Sequence, residues 1–215
     1  MKQFNIQIKR TARYFVKGDL NTSTANIWIV LHGYGQLADD FLNSLTAFDE
    51  QEHVVVAPEA LSKFYVKGIT GETGASWMTK SERTHEIEDY IGYLQAVVGE
   101  IQKNSNEKIT WNILGFSQGV PTSCRWLSET SIDIGKIVLC SGIFPEDMSI
   151  QFLSKRGAFS NNQIHLCYGK DDRLLVPEQI KQLSSLAKSL EHLTIWEFDG
   201  RHEVNNDLLK KIIAL

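Results

Sequence analysis

Gly115-Phe116-Ser117-Gln118-Gly119 places a serine between two glycines where a buried-type apolar run, Ile109 to Leu114, gives way to a helical pattern, Gln118 to Leu127. A serine on such a strand-to-helix turn projects its hydroxyl out of the sheet, and flanking glycines let neighbouring backbone approach. The start of the following helix favours negative charge beside the hydroxyl. Pro121 suits this reading because proline is tolerated in a helix's first turn. Ser117 is therefore the candidate nucleophile. A serine hydroxyl attacks poorly at neutral pH, so it needs a base, and the base needs an orienting carboxylate. Gly169-Lys170-Asp171-Asp172 follows the apolar run Gln163 to Tyr168, and Gly200-Arg201-His202 follows Leu193 to Phe198. The chain order serine, acid, histidine makes His202 the base and Asp172 the preferred acid. Asp171 stays open beside Asp172, while Asp199 reads as a turn former before Gly200. His53, His85, His165 and His192 do not combine that order with a strand-end loop, and they read as structural or solvated.

Acyl transfer also requires two preorganised N–H donors for the oxygen that becomes negative. One is expected from the backbone of the residue after the nucleophile, Gln118, and the other from a loop after an earlier strand. Leu31-His32-Gly33-Tyr34-Gly35-Gln36 ends the run Ile27 to Leu31, and the Tyr34 N–H is the expected second donor. His32 then shapes the loop and is not the base. A dinucleotide fingerprint is the rival reading of these glycines. Its third glycine is replaced by Ala38, which is sometimes accepted, and Glu59 stands where its acidic residue would fall. That reading leaves Ser117, Asp172 and His202 unexplained.

Several elements must position these residues. Short apolar runs at Ile27–Leu31, His53–Ala57, Ile109–Phe116, Lys136–Cys140, Gln163–Tyr168 and Leu193–Phe198 read as strands buried on both faces. Helical stripes lie between them: Phe41, Leu42, Leu45 and Phe48; Ile87, Ile91, Leu94, Val98 and Ile101; Ile180, Leu183, Leu186 and Leu190; Val204, Leu208, Ile212 and Leu215. The alternation predicts a doubly wound, mostly parallel α/β sheet with helices on both faces, in one domain spanning residues 1–215. Phe4 to Val16 alternates polar and apolar residues and predicts an antiparallel edge strand or hairpin. Glu59–Lys80 and Ile143–Asn162 carry no clear period and are expected to be irregular. All three candidate catalytic side chains then fall at carboxyl ends of strands, where open α/β sheets place ligands.

Composition bounds the rest. The 215 residues suffice for one sizeable core. With 22 basic and 26 acidic residues the net charge is −4, which argues against a nucleic-acid partner. Cys124, Cys140 and Cys167 are widely spaced in apolar stretches and read as buried small hydrophobes. No apolar run approaches the ~18 residues of a membrane span, and residues 1–15 lack the apolar core of a secretory leader. A soluble cytoplasmic protein without stable membrane insertion is the expectation.

Together, Leu31-His32-Gly33-Tyr34-Gly35, Gly115-Phe116-Ser117-Gln118-Gly119, Gly169-Lys170-Asp171-Asp172 and Gly200-Arg201-His202 resemble the α/β-hydrolase superfamily. More narrowly, the chain is similar to the phospholipase/carboxylesterase family, which includes acyl-protein thioesterases and small bacterial carboxylesterases. Phe-Ser-Gln-Gly, the compact length and Ala75-Ser76-Trp77-Met78 carry that likeness, which runs from about Trp28 to His202. The resemblance implies the α/β-hydrolase fold without a large cap domain and a catalytic set of Ser117, Asp172 and His202. It also implies oxyanion donors at Tyr34 and Gln118, no cofactor, no metal, and a small-molecule acyl ester or thioester as substrate. The chain departs from the family pattern at Pro177, five residues after Asp172, at Met78-Thr79, and at Val120-Pro121. Trp77, Met78 and Tyr34 are expected to line an apolar acyl pocket. Phe64, Tyr65 and Phe144 are further candidates for substrate contact, while Lys63, Lys67 and Lys80 read as a solvated loop face. A monomer and a homodimer are equally compatible with the sequence. A non-catalytic binding module on the same fold and a serine peptidase are the alternatives that the motifs leave open.

Overall fold

The computed structural model describes residues 1–21, 24, 26–105, 108–148, 162–189 and 192–215. Seven strands form one sheet: β1 Tyr14–Lys17, β2 Asn26–Leu31, β3 Val54–Pro58, β6 Thr110–Phe116, β7 Ile134–Cys140, β8 Gln163–Gly169 and β9 Leu193–Phe198. Their order is β1-β3-β2-β6-β7-β8-β9; β1 runs antiparallel to β3 and every other pair is parallel. Five described helices flank it: α1 Ala38–Ser44, α2 Arg83–Lys103, α3 Gly119–Leu127, α4 Pro177–Ser189 and α5 Asn206–Ile213. This is the doubly wound sheet expected from the alternating pattern.

Period-2 alternation in the strands divides the core. Ile27, Ile29 and Leu31 of β2 face one side with α2, α3 and Leu183 of α4. Trp28 and Val30 face the other, with Phe41 and Leu42 of α1 and Leu209 and Ile212 of α5. Helix α2 buries Tyr90, Ile91, Leu94, Val97, Val98 and Ile101. At roughly 1.5–3 kcal/mol for each large apolar side chain fully buried, that stripe outweighs helix propensity in fixing α2. Among the described residues no helix is long and apolar enough to cross a membrane. The three cysteines are free and buried, as expected.

The chain leaves β2 for β3 on one side of the sheet and later takes up β6 on the other. The β2/β6 boundary is therefore the topological switch point, where loops leaving the carboxyl ends diverge and open a crevice. The loop after β2 and the turn carrying Ser117 both lie there.

Three expectations needed correction. Of Phe4–Val16 only the last residues pair, as β1 against β3, and Phe4, Ile6 and Ile8 stay 79–87% exposed. Alternation marks a strand with two unlike faces, but it does not supply an apolar surface for one of them to cover. The region 59–80 is not wholly irregular: β4 Ser62–Tyr65 and β5 Thr73–Ser76 form a separate antiparallel pair. Strands of four residues, half of them polar, carry too little period to be read. Leu45 and Phe48 are buried, yet α1 already ends at Ser44. Leu190, the side chain of Leu186 and residues 149–161 of the irregular stretch lie outside the described residues.

Glu59 ties the sheet edge to this frame. Its carboxylate takes two bonds from Arg13, at 2.7 and 2.9 Å, and one from Lys63 at 2.7 Å, and it accepts the Ala38 N–H at the start of α1. Burial alone would raise its pKa, but the hydrogen bonds from Arg13 and Lys63 win and hold it at about 2. A depressed carboxylate pKa contributes stability that is full above the ordinary value of 4.5 and is lost as pH falls toward 2. Glu59→Gln should lower unfolding stability at pH 7 by about 2 kcal/mol and flatten the loss between those two pH values. Urea unfolding of both proteins at a series of pH values checks this.

Candidate active site

Strand β6 delivers Ser117 into a backbone that non-glycine residues rarely adopt, with φ 52°. The strain is held from two sides. The Ser117 N–H donates to Cys140 O at the end of β7 at 2.9 Å, and a Cβ on Gly119 would collide with Leu31 O. Only glycine lets α3 start that close to β2. A methyl group on Gly33 would lie 3.1 Å from Ser117 Cβ, so the loop after β2 sits against the turn that carries the serine.

His202 Nε2 lies 2.9 Å from Ser117 Oγ, and His202 Nδ1 lies 2.9 Å from Asp172 Oδ2. The Asp172 side chain is 1% exposed, and its other oxygen accepts the Leu174 N–H at 2.9 Å. A carboxylate at Nδ1 makes that nitrogen the donor, which leaves the Nε2 lone pair for the serine hydroxyl. The Phe116 ring packs on the imidazole with centroids 5.0 Å apart. Asp171 is exposed, and its backbone N–H is spent on Gly200 O. Asp199 is exposed and pairs with Lys170 at 2.7 Å. Of the two aspartates after β8, Asp172 is therefore the one that meets His202.

Among the described residues the backbone N–H groups of Tyr34 and Gln118 have no protein acceptor. His32 closes the loop beneath Tyr34. Its Nδ1 bonds Gly33 O at 2.8 Å and its Nε2 accepts the Ala60 N–H at 3.1 Å, which assigns the proton to Nδ1. Burial pushes the His32 pKa down, so the ring is neutral, and the residue shapes the loop.

A depression of about 230 Å³ opens over Ser117 and His202, walled by the apolar side chains of Pro121, Ile143, Leu174 and Leu175. Trp77, Met78 and Tyr34, expected at an acyl pocket, are not among the residues around this depression. Trp77 is 2% exposed, donates its indole N–H to His32 O and packs on His32 and Tyr90. Tyr34 is 61% exposed and stacks on Phe64. Phe144 packs against the core, and Tyr65 is exposed. Leu174 and Leu175 were not read from the sequence, although they stand just past the candidate acid. Their apolar pair inside a polar loop was the available signal.

The Gln118 side chain was missed entirely. Its Oε1 accepts the Trp77 N–H at 3.0 Å and its Nε2 donates to Met78 O at 2.7 Å, pinning the 76–78 segment to the elbow. Arg125, 4% exposed, similarly holds Asp147 with two bonds and reaches Met78 Sδ at 3.7 Å. Gln118→Ala strands the Trp77 N–H, while Met78 O keeps the Ser76 hydroxyl at 3.0 Å, and should cost about 1–3 kcal/mol of stability in denaturant titration. Among the described residues no cluster of His, Cys, Asp or Glu could hold a metal ion.

The family model described as Phospholipase/Carboxylesterase matches residues 19–214. Solved structures agree in fold. The chain is similar to a Bacillus cereus carboxylesterase at 14% identity and TM-score 0.63, covering 94% of this chain and 91% of that one. It is similar to Zea mays acyl-protein thioesterase 2 at 16% identity and TM-score 0.66, covering 95% and 98%. A phospholipase/carboxylesterase from Dyadobacter fermentans matches at 18% identity and TM-score 0.68, covering 98% and 100%. These likenesses show the α/β-hydrolase fold, with no large cap evident. No curated protein sequence matches the chain.

Proposed function

The chain belongs to the phospholipase/carboxylesterase family, and from that premise we propose that it is a serine esterase or thioesterase working through an acyl-enzyme on Ser117. The observation that carries this is the relay Ser117 Oγ, His202 Nε2, His202 Nδ1 and Asp172 Oδ2, with both contacts at 2.9 Å. In the reaction Ser117 Oγ attacks the acyl carbonyl carbon while its proton passes to His202 Nε2. The Tyr34 and Gln118 N–H groups receive the oxygen that turns negative. Collapse breaks the bond to the leaving oxygen or sulfur, and His202 returns the proton to that atom. Water then attacks the acyl-enzyme, again giving its proton to His202, and the acid leaves as Ser117 recovers its hydroxyl. Asp172 holds the imidazole and stabilises its charged form without taking the proton. The chemistry on this reading calls for no cofactor, and the cytoplasm is the compartment that fits the free cysteines.

The apolar depression of about 230 Å³ suits a short to medium acyl chain. Hydrolysis of 4-nitrophenyl esters from C2 to C16 tests this. Turnover with an optimum at or below about C8 is expected from a cavity of that size. No turnover at any length, together with no labelling by a fluorophosphonate, would refute the esterase reading.

A further inference from the structure

Arg173 directly follows Asp172, and Arg201 directly precedes His202. Both are exposed, and both line a depression of about 410 Å³ together with Lys170, Asp171 and Asp172. The depression over Ser117 is bounded by the following residue of each of the same two loops, Leu174 and His202. The loops are held together by backbone: Lys170 N–H donates to Phe198 O and Asp171 N–H to Gly200 O, each at 2.9 Å. A Cβ on Gly169 would collide with the carbonyl oxygens of Gly200 and Arg201, so the approach depends on the glycine. The result sets two guanidinium groups in one depression in a chain whose net charge is −4. The nearby carboxylates do not neutralise them. Asp172 is committed to His202 and the Leu174 N–H, and Asp199 to Lys170. Asp171 is the one uncommitted acid of the lining, and Glu203, whose Oε1 accepts the Arg201 backbone N–H at 3.2 Å, makes no ion pair with either guanidinium. Among the described residues neither Arg173 nor Arg201 has an ion pair.

We propose that Arg173 and Arg201 form an anion-binding subsite for the leaving group, so that the substrate is an acyl ester or thioester whose alcohol or thiol part carries a carboxylate or phosphate. This rests on the acyl-transfer reading above. There the leaving atom must reach His202 Nε2 to take its proton, and Arg201 is the residue next to His202. Two planar, permanently charged forks on adjoining loops match an oxyanion's geometry better than a neutral alcohol's.

The test uses three butyryl esters that differ only in the leaving phenol: neutral 4-hydroxybenzamide, 4-hydroxybenzoate and 4-hydroxyphenyl phosphate. The readout is the ratio of kcat/KM for each anionic ester to that for the neutral one. In low salt the wild-type ratio should exceed one, and in the double variant Arg173→Gln, Arg201→Gln it should fall by about tenfold, through KM. A larger fall for the phosphate than for the carboxylate identifies phosphate as the preferred anion, and the reverse identifies carboxylate. A ratio that the double variant leaves within about twofold of wild type overturns the subsite while the esterase reading stands. Calorimetric binding of the free 4-hydroxybenzoate and 4-hydroxyphenyl phosphate reads the subsite without turnover. If no ester is cleaved but these anions bind about tenfold more weakly to the double variant, the subsite stands and the esterase reading fails. Equal binding by both proteins removes the subsite.

Discussion

Ser117→Ala should abolish ester cleavage, lowering kcat by about 10⁵–10⁶, the scale seen when a serine nucleophile is removed from a triad hydrolase. The expected loss is large because, in the proposed mechanism, Ser117, His202 and Asp172 act as a unit: without Oγ the imidazole has no serine proton to take and no covalent intermediate forms. What survives is whatever the Tyr34 and Gln118 N–H groups do for a water molecule, roughly 10³-fold over the uncatalysed rate. Folding should change little. Residue 117 keeps its N–H bond to Cys140 O, and alanine is no more strained than serine at φ 52°. Thermal unfolding of the variant within a few degrees of wild type separates lost chemistry from lost structure. If the variant kept more than about a tenth of the activity in a purified sample, Ser117 would not be the nucleophile.

The second large effect is expected at Asp172. Asp172→Asn is nearly isosteric, but an amide nitrogen facing His202 Nδ1 favours the tautomer with its proton on Nε2, and that ring can no longer take the Ser117 proton. A fall of about 10⁴ in kcat is the expected size for a wrong tautomer in a triad of this type. KM should move little, since Asp172 is buried behind His202. Asp171→Asn is the control of the same chemistry one residue away. Its exposed side chain makes no contact with His202, so it should stay within a few-fold of wild type. Steady-state kinetics on the two asparagine variants decides between them, and the opposite ranking would assign the acid to Asp171.

Much of this arrangement is legible in the sequence because it is local. Buried strands of five to seven residues announce themselves as Ile-Trp-Ile-Val-Leu or Ile-Val-Leu-Cys. The residues that face each other over the site then stand immediately after those strands, in Gly-Phe-Ser-Gln-Gly, Lys-Asp-Asp and Gly-Arg-His. The choice between Asp171 and Asp172 is not local. It depends on which side chain turns inward, which a dipeptide does not say and which the 1% exposure of Asp172 does. The apolar walls escaped for a related reason. Trp77 is aromatic and lies in a loop near the site, a description that fits a pocket wall as well as a core side chain. Its indole hydrogen bond to His32 O, across 45 residues, makes it core. Leu174 and Leu175, by contrast, reach the site only through the fold of the loop after β8. The Gln118 clamp on 76–78 likewise joins segments some 40 residues apart, and glutamine carries no sequence signal for such a role. Nor does period-2 patterning in Phe4–Ile8 say whether a neighbouring strand exists to pair with.

The most direct test of the central claim is to catch the acyl group on the protein. Mixing enzyme with 4-nitrophenyl butyrate, whose good leaving group makes acylation fast relative to deacylation, quenching in acid during turnover and mapping the peptides by mass should place one butyryl group on the peptide containing Ser117. The Ser117→Ala variant should carry none, and Asp172→Asn should accumulate it far more slowly. A butyryl group on any other residue, or ester cleavage with no acylated protein at any quench time, would contradict the account.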